Sequence, residues 1–488
     1  MNTELLTELF IPNIGDQIDI PQYIHLFRTL QKAIVEGRLG SGSKLPASRP
    51  LAVSLKLSRN TVKAAYELLQ AEGYIETKRG AGSYVTSIDL TPITPEHKTP
   101  LELNNGTGIS YSKLMHRLEW QKHNQTPPKA GLLTPAIPAM AEFPWMQWQK
   151  SIHFAGRTMK HQNMSSSLGC EYLREQISSY LKIVRGVSCS KNNILIFSGS
   201  QQAIYLALQV LIDPGDHVLV ENPCYYGIHG ALNALDAIQI PIDVDQQGFK
   251  LTVADQHKSK VAVITPSRNY PLGHTLSLPR RIALLEWAKL NNSWIIEDDY
   301  DSEFRFDGPP LTSLQGLTAQ SRVIYAGTFS RILHPSIRIG YLVLPNDLVE
   351  PFATAKKLMH GNIPVLPQLA LANFMASGHF SSHVRKMRKL YLLRRTTLQL
   401  LISQSLNHCL TLVDSDGGMH CVYLLTDGYD DREVCDRAKL QGIGIEPLSS
   451  YYSGGSAKQG LVIGFAGYSE MELTQGVQAL TKVLSALK

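Results

Sequence analysis

Apolar residues in the first 88 positions recur at spacings that predict three helices followed by a β-hairpin. One apolar stripe at three- and four-residue steps indicates the first helix, and it contains Tyr23, Leu26, Phe27, Leu30, Ala33 and Ile34. A second, short helix is predicted to begin at Ser48, and a third follows the N-cap residue Ser58 and ends at Gly73. Two short strands, 74–77 and 83–85, flank a glycine-containing turn. Three helices and a hairpin make a winged helix-turn-helix, which we assign to residues 1–88.

The pattern changes over residues 89–130. This stretch is rich in proline, threonine, asparagine and glycine, and it carries few apolar side chains. Such a composition cannot bury enough surface to form a core. We therefore predict an interdomain linker, with a short helix near residues 112–120.

Residues 131–488 are predicted to form a separate α/β body. Short, continuously apolar segments alternate with helical stretches, and the strand candidates are 194–197, 217–220, 261–265, 294–297, 323–326 and 340–344. Apolar strands joined by helices indicate a mostly parallel sheet that is covered on both faces. From about residue 349 the pattern predicts helices and a few strands. We expect a large lobe that ends near residue 348 and a small lobe over 349–488.

Composition narrows the class of protein. A chain of 488 residues is too long for one core, so two or three domains are expected. No apolar run approaches the ~18–20 residues that cross a bilayer. The segment MNTELLTELF has acidic residues where a secretory signal carries basic ones, so we expect a cytoplasmic protein. Six widely spaced cysteines without a C-x-x-C pair argue against zinc and against a disulfide framework.

The placement of charge points to nucleic acid. The net charge is +6, and residues 44–79 alone hold seven basic and three acidic side chains. A basic stripe suits a phosphate backbone, although a solvated surface has the same composition. The third helix of such a head places its first residues in the major groove, where Arg59 suits guanine and Asn60 suits adenine. Further DNA contacts are expected from Ser58, Thr61, Lys63, Arg49 and the wing tip Arg79–Gly80. A winged helix that binds no DNA is the alternative.

Polar residues in the body stand where predicted strands end, which is where sheets of this kind bind ligands. The segment 198–201 follows one strand and opens a helix, so its backbone N–H groups can hold a phosphate. Asp298, Asp299 and Tyr300 end another strand. Paired acids can also bind a metal, but no second group of ligands supports one, and we predict no metal.

Two sets of motifs carry a family resemblance. The head contains, in order, L-P-A-S-R (45–49), S-R-N-T-V (58–62), A-Y-E-L-L (65–69), E-G-Y-I (72–75) and R-G-A-G-S-Y-V (79–85). This series resembles the GntR regulators, which use the DNA-contacting positions given above. In the body, residues 327–341 follow the frame G-T-F-S-x-x-x-x-P-x-x-R-x-G-Y, which resembles the cofactor-lysine segment of fold-type I aminotransferases. The combination resembles the MocR subfamily of GntR-type regulators. It implies bound pyridoxal phosphate, double-stranded DNA and a small-molecule effector as partners, and a homodimer.

The resemblance also implies roles for individual residues of the body. The cofactor phosphate would be held by Ser200, Gln201, Thr328, Ser330 and Arg338. Tyr225 would stack on the cofactor ring. Asn269 and Tyr300 would bond its phenolic oxygen, and Asp298 would keep the ring nitrogen protonated, which preserves the electron sink.

One departure from the pattern of the family separates a ligand-sensing function from an enzymatic one. Arg331 stands where the resemblance places the lysine that forms the Schiff base, and a guanidinium, with a pKa above ~12, is no amine nucleophile. We therefore predict no catalytic residue. Arg268 stands where MocR proteins usually have a histidine, and Arg268, Arg331 and Arg338 near one pocket would favour an anion.

Three interpretations stay open. In the first, the body is an effector-sensing domain that binds pyridoxal phosphate noncovalently, or another anionic metabolite, and reports to the DNA-binding head. In the second, the protein is a pyridoxal-phosphate-dependent aminotransferase with an attached DNA-binding domain. In the third, Arg331 forms an ion pair with Asp298 or Asp299 and the pocket serves no ligand.

Overall fold

The computed structural model describes residues 21–78, 81–86, 112–122, 131–159, 166–252, 259–308, 311–318, 321–454 and 457–487. Contacts divide the chain into two compact units, Met1–Gly108 and Ile109–Lys488. The predicted wing tip, Arg79–Gly80, lies outside the described residues. None of the described helices is both long enough and apolar enough to cross a membrane.

The first unit has the three helices and the hairpin that its sequence predicts. They are α1 (Gln22–Val35), α2 (Ser48–Leu55), α3 (Arg59–Ala71), β1 (Ile75–Lys78) and β2 (Gly82–Val85). The two strands are antiparallel, with Ile75 opposite Val85. The apolar stripes of the helices meet in one core that includes Leu26, Leu30, Leu51, Val62 and Leu69. Burial of these stripes fixes the helices against one another, because most of the stability of such short helices comes from packing.

An eight-stranded sheet forms the centre of the large lobe in the second unit. Its strands are β3 (Ile194–Phe197), β4 (His217–Asn222), β5 (Ile238–Asp245), β6 (Gly248–Phe249), β7 (Val261–Ile264), β8 (Trp294–Asp299), β9 (Val323–Thr328) and β10 (Gly340–Val343). Their order across the sheet is β3-β10-β9-β8-β7-β4-β5-β6. The strands from β9 to β5 run parallel, whereas β10 is antiparallel to both β3 and β9. The six predicted strands are confirmed, and β5 and β6 are additional.

Helices cover both faces of this sheet. They are α4 (Lys113–Lys122), α5 (Trp145–Thr158), α6 (Glu171–Arg185), α7 (Ser200–Leu211), α8 (Tyr226–Ala234), α9 (Leu278–Leu290), α10 (Asn346–His360) and α11 (Val365–Ala376). Alternate strand residues point to opposite faces, so β3 contributes Leu195 and Phe197 to one core and Ile194 and Ile196 to the other. The short helix expected near residues 112–120 is confirmed as α4, and its Arg117 forms an ion pair with Asp236, 3.1 Å away.

The small lobe packs a second sheet against long helices. It contains α12 (His379–Ser405), β11 (Leu410–Val413), β12 (His420–Leu425), α13 (Asp431–Leu440), β13 (Glu446–Pro447), β14 (Gly460–Gly464) and α14 (Glu470–Ser485). Its strands are antiparallel, in the order β11-β12-β14-β13.

The topology of the large sheet brings the predicted ligand-binding residues together. Because β3 and β9 are both antiparallel to β10, they point the same way as each other, and β4 and β8 share that direction. Their carboxyl ends therefore lie along one edge of the sheet. The ends of these strands and the segments that follow them carry residues 198–201, 223–226, 300 and 328–331.

Candidate ligand site and nucleic-acid interface

A cavity of about 250 Å³ opens at this edge of the large sheet. Its walls contain Ala136, Gly199, Ser200, Gln201, Tyr225, Tyr270, Asp298, Tyr300, Thr328, Ser330, Arg331, Pro335 and Arg338. Every residue predicted to contact the cofactor lines this cavity except Asn269. Arg331 lines it as well.

One end of the cavity is suited to a phosphate group. Helix α7 begins at Ser200, directly after Gly199, whose φ of 100° is a conformation that favours glycine. Free N–H groups and the positive end of the helix dipole meet there. The backbone of Gly340 approaches this turn so closely that a Cβ atom on Gly340 would lie 2.5 Å from the carbonyl carbon of Gly199. Arg338 donates a hydrogen bond of 3.2 Å to the carbonyl oxygen of Ser198, which holds its guanidinium beside the helix end.

The other polar side chains at this end differ in whether they form hydrogen bonds within the protein. The amide of Gln201 donates to the carbonyl oxygen of Gly227 at 2.7 Å, so its side chain joins α7 to α8. The hydroxyl of Thr328 accepts from the backbone N–H of Ser330 at 3.2 Å. In contrast, the Oγ atom of Ser330 is buried and has no hydrogen-bond partner within the described structure. A buried polar atom without a partner indicates a group that a ligand or water satisfies.

Arg331 is a cation without a counter-ion. Among the described residues, no carboxylate oxygen lies within 4.0 Å of its guanidinium, and no side chain or carbonyl forms a hydrogen bond with it. The residue is half-buried, and its charged group lies 5.7 Å from the ring centres of Tyr225, Tyr270 and Tyr300. At this distance each ring still attracts a cation. The ion pair of Arg331 with Asp298 or Asp299, which the third interpretation requires, is absent from the described structure.

Asp299 is committed to another partner. Its Oδ2 atom accepts from the Nε atom of Arg185 at 2.9 Å, in an ion pair where both side chains are buried. The hydroxyls of Ser302 and Tyr325 donate to the same carboxylate oxygen, at 2.8 and 2.5 Å. Asp299 therefore turns away from the cavity and fixes the end of β8.

Asp298 faces the cavity, only 7% exposed. Its Oδ1 atom has no partner within the described structure, and neither has the hydroxyl of Tyr300. Burial raises the pKa of Asp298 to about 7; the positive charge of Arg331 opposes that shift, and the neighbouring Asp299 and Asp301 add to it. A donor on a ligand, such as a protonated ring nitrogen, would stabilise the ionised carboxylate.

Two predicted positions differ from expectation. Asn269 does not line the cavity; it is 1% exposed, and its amide donates to the carbonyl oxygen of Pro223 at 3.4 Å. Arg268 was expected to join Arg331 and Arg338 near one pocket and favour an anion, but it does not line the cavity. It forms a buried ion pair with Asp301 at 3.2 Å and donates to the carbonyl oxygen of Gly417 at 2.8 Å. Its charge is neutralised, and it joins the large lobe to the small one.

Tyr270 is the main residue of the site that the sequence did not single out. Its ring packs edge-on against Tyr225 and Tyr300, with centroid distances of 5.6 and 5.5 Å. Its hydroxyl lies 3.4 Å from that of Tyr451, which in turn donates to Glu446. The signal was its position directly after Asn269. The described residues hold no group of three or more metal-binding side chains.

The first unit presents its predicted DNA-contacting residues on the surface. Arg49, Arg59, Asn60 and Lys63 are all exposed. None of these four side chains has a hydrogen-bond or ion-pair partner among the described residues. The hydroxyl of Ser58 accepts from the backbone N–H of Thr61 at 3.0 Å, which caps α3 as predicted. The exposed start of α3 thus offers unpaired donors to a ligand.

Comparisons with known proteins agree with both halves of this description. Residues 22–85 match the profile of the bacterial regulatory proteins, gntR family. The chain is 32% identical over 476 residues to the probable rhizopine catabolism regulatory protein MocR of Rhizobium meliloti, covering 96% of this chain and 95% of that protein. It is 31% identical to the pyridoxine biosynthesis transcriptional regulator PdxR of Corynebacterium glutamicum, covering 91% and 92%.

Solved structures match the second unit. The α-aminoadipate aminotransferase LysN of Thermus thermophilus, complexed with N-(5'-phosphopyridoxyl)-L-leucine, superposes with a TM-score of 0.70 at 23% identity, covering 77% of this chain and 97% of that one. Pyrococcus horikoshii kynurenine aminotransferase, in complex with PMP, gives 0.67 at 26% identity, covering 78% and 95%. A GntR-type DNA-binding head joined to a fold-type I aminotransferase-like domain defines a class of transcription regulators. The chain belongs to the MocR family of that class.

Proposed function

We propose that the aminotransferase-like domain is an effector-sensing domain that binds pyridoxal phosphate noncovalently and reports its occupancy to the DNA-binding head. The observation that carries this proposal is the unpaired Arg331 inside a cavity that also holds a phosphate-binding helix end. A cation enclosed by protein without a counter-ion is costly, and an anionic ligand removes that cost. Another anionic metabolite of similar size would meet the same groups.

The residues of the cavity fit pyridoxal phosphate. Its phosphate would be held by Ser200, Gln201, Thr328, Ser330 and Arg338, chiefly through the start of α7 and the guanidinium. Tyr225 offers a ring for stacking, and the partnerless Asp298 and Tyr300 offer an acceptor and a hydroxyl to the polar atoms of the pyridine ring. When bound, the cofactor supplies an electron-withdrawing ring beside an aldehyde. Asn269, whose Oδ1 atom is also buried without a partner in the described structure, is proposed to bond the phenolic oxygen of the ring.

The identity of residue 331 distinguishes a regulator that binds the cofactor noncovalently from an enzyme that binds it covalently. We propose that it occupies the place of the Schiff-base lysine, so that no covalent link to the cofactor forms. No lysine is found among the described residues that line the cavity. Lys356, the next lysine along the chain after Lys289, is fully buried, and its Nζ atom donates to the carbonyl oxygen of Ser167 at 2.6 Å. Among the described residues that line the cavity, the aminotransferase alternative therefore finds no amine for a Schiff base.

The head is proposed to read DNA through α3. Arg59 and Asn60 would contact base edges in the major groove, because they lie exposed at the N-terminal end of the helix. Contacts to phosphates would come from Ser58, Thr61, Lys63 and Arg49. Arg79–Gly80 at the wing tip would approach the minor groove.

The wider organisation follows the same proposal. We place the DNA-binding domain at residues 1–88, the linker at 89–130 and the aminotransferase-like domain at 131–488. Helix α4 of the linker contacts the large lobe through Arg117, and the small lobe begins after α11, because residues 348–355 pack against the core of the large sheet. A regulator of this kind works where the chromosome is, in the cytoplasm. Two copies would pair, so that two heads contact two half-sites on the DNA.

Intact-mass analysis after reduction tests the noncovalent mode. The full chain is incubated with pyridoxal phosphate, treated with borohydride and mapped by peptide. We expect the wild type to bind the ligand reversibly in equilibrium dialysis without a reduced adduct on the peptide that contains residue 331. The Arg331→Lys variant is the positive control and should acquire the adduct there. A stoichiometric wild-type adduct on any single lysine, or no binding in dialysis, would refute the proposal.

A further inference from the structure

Among the described residues the cavity contains two arginines, and once a phosphate binds, only Arg331 is left without a negatively charged partner. Arg338 lies at the rim beside the start of α7, where a phosphate is expected. Arg331 lies deeper, among the rings of Tyr225, Tyr270 and Tyr300. A phosphate bound by the helix end and Arg338 has its own partners. Arg331 is then left to interact with the rest of the ligand.

The acidic residues near Arg331 are mostly occupied elsewhere. Asp299 is paired with Arg185 and Asp301 with Arg268. Glu446 accepts a hydrogen bond from Tyr451. Only Asp298 faces the cavity without a partner among the described residues, and burial raises its pKa to about 7, so it is a weak counter-ion at neutral pH. The interior of the cavity therefore carries a surplus of positive charge.

This arrangement discriminates between ligands that share a phosphate and a ring. An oxygen acceptor near Arg331 gains a charge-assisted hydrogen bond, whereas an ammonium group meets a like charge in a poorly solvated place. The inference rests on the proposed function and goes one step further. We infer that Arg331 is a specificity-determining residue that excludes phosphate-bearing ring ligands carrying an amine, so that the domain responds to pyridoxal phosphate and rejects pyridoxamine phosphate.

Three probes separate this inference from simple phosphate binding. Pyridoxal, pyridoxine and pyridoxamine 5'-phosphate have the same ring and phosphate, and they differ in one substituent, which is an aldehyde, an alcohol or an ammonium. Their dissociation constants are measured on the full chain by isothermal titration calorimetry. The alcohol and the ammonium form the decisive pair, since neither reacts with surface lysines.

For the wild type we expect pyridoxamine phosphate to bind about tenfold or more weakly than pyridoxine phosphate, as a like-charge contact requires. In Arg331→Met, which keeps much of the length of the side chain and removes the charge, the two should bind within about threefold of each other. Arg338→Met is the matched control, because it removes a cavity arginine at the phosphate end. It should weaken all three probes by a similar factor and leave their order unchanged.

The outcomes are distinguishable. The inference is overturned if wild type binds pyridoxamine phosphate as tightly as pyridoxine phosphate, or if Arg331→Met keeps the wild-type order. If wild type binds none of the three, the proposed function fails and the inference with it. Should Arg331→Met fold poorly, as judged by circular dichroism, Arg331→Gln replaces it with the same expected loss of discrimination.

Discussion

Removing the charge of Arg331 should stabilise the ligand-free protein. Burying a guanidinium completely without a counter-ion costs several kcal/mol, and the half-buried position of Arg331 carries part of that cost. Cation–π interactions with the three tyrosine rings, each 5.7 Å from the guanidinium, stabilise the charge by ~0.5–1 kcal/mol each. With about 4 kcal/mol for the half-buried group and ~1.5–3 kcal/mol from the three rings together, the remaining penalty is roughly 1–2.5 kcal/mol. Arg331→Met keeps most of the packing of the side chain, so we expect the free energy of unfolding of the aminotransferase-like domain to rise by about this amount.

Urea unfolding of the full chain measures this change. The two units need not unfold together, so the transition of the aminotransferase-like domain is followed by tryptophan fluorescence. Four of the five tryptophans of the chain lie within residues 131–488, and the DNA-binding head has none. Arg338→Met serves as the control and should change stability by less than ~0.5 kcal/mol, because its side chain is exposed. With saturating pyridoxal phosphate the order should reverse, since the ligand stabilises the wild type more. A loss of about 1 kcal/mol or more in ligand-free Arg331→Met would refute the reasoning, as it would show that the arginine is a structural element.

Three further predictions concern the site and the head. A carboxyl whose pKa is raised on folding stabilises a protein most at low pH, and this contribution is lost as pH rises. The pKa of Asp298 is raised to about 7. The free energy of unfolding of Asp298→Asn should therefore exceed that of the wild type by an amount that grows between about pH 4 and pH 7. Gly340→Ala should weaken pyridoxal phosphate binding about tenfold or more, because its Cβ would lie 2.6 Å from the backbone nitrogen of Ser200; Gly156→Ala, which has open space around its Cβ, should leave dialysis results unchanged. In fluorescence anisotropy with DNA, Arg59→Ala should abolish sequence preference, whereas Lys63→Ala should weaken all sequences alike and reduce the salt dependence by about one ion.

Much of the fold follows from local patterns. The helices of the head have clear apolar stripes, a capping serine at 58 and a glycine stop at 73. The central strands of the large sheet are continuously apolar because both faces are covered. Strand β5 was missed because its residues alternate and include Pro241, which suits a partly exposed strand near the sheet edge.

The residues of the site were predictable where their place at the end of a strand is enough to bring them to the cavity. Residues at or after the ends of β3, β8 and β9 meet because the carboxyl ends of these strands share an edge, and Ser200, Asp298 and Ser330 line the cavity accordingly. The ion pairs between charged side chains could not be predicted. Nothing in the sequence indicates that Arg185 neutralises Asp299, or that Arg268 pairs with Asp301 and fits against Gly418 of the small lobe. Which arginine remains free depends on these long-range contacts.

The central claim is that occupancy of the Arg331 cavity is transmitted to DNA binding. The most direct measurement is the affinity of the full chain for a selected DNA site, at one fixed salt concentration, with and without saturating pyridoxal phosphate. We predict a change of about fivefold or more, the usual lower range for coupled sites, and a smaller change in Arg331→Met titrated with the same ligand concentration, because that variant binds the ligand more weakly. Equal affinities, within about twofold, for wild-type protein shown by dialysis to be saturated would contradict the account.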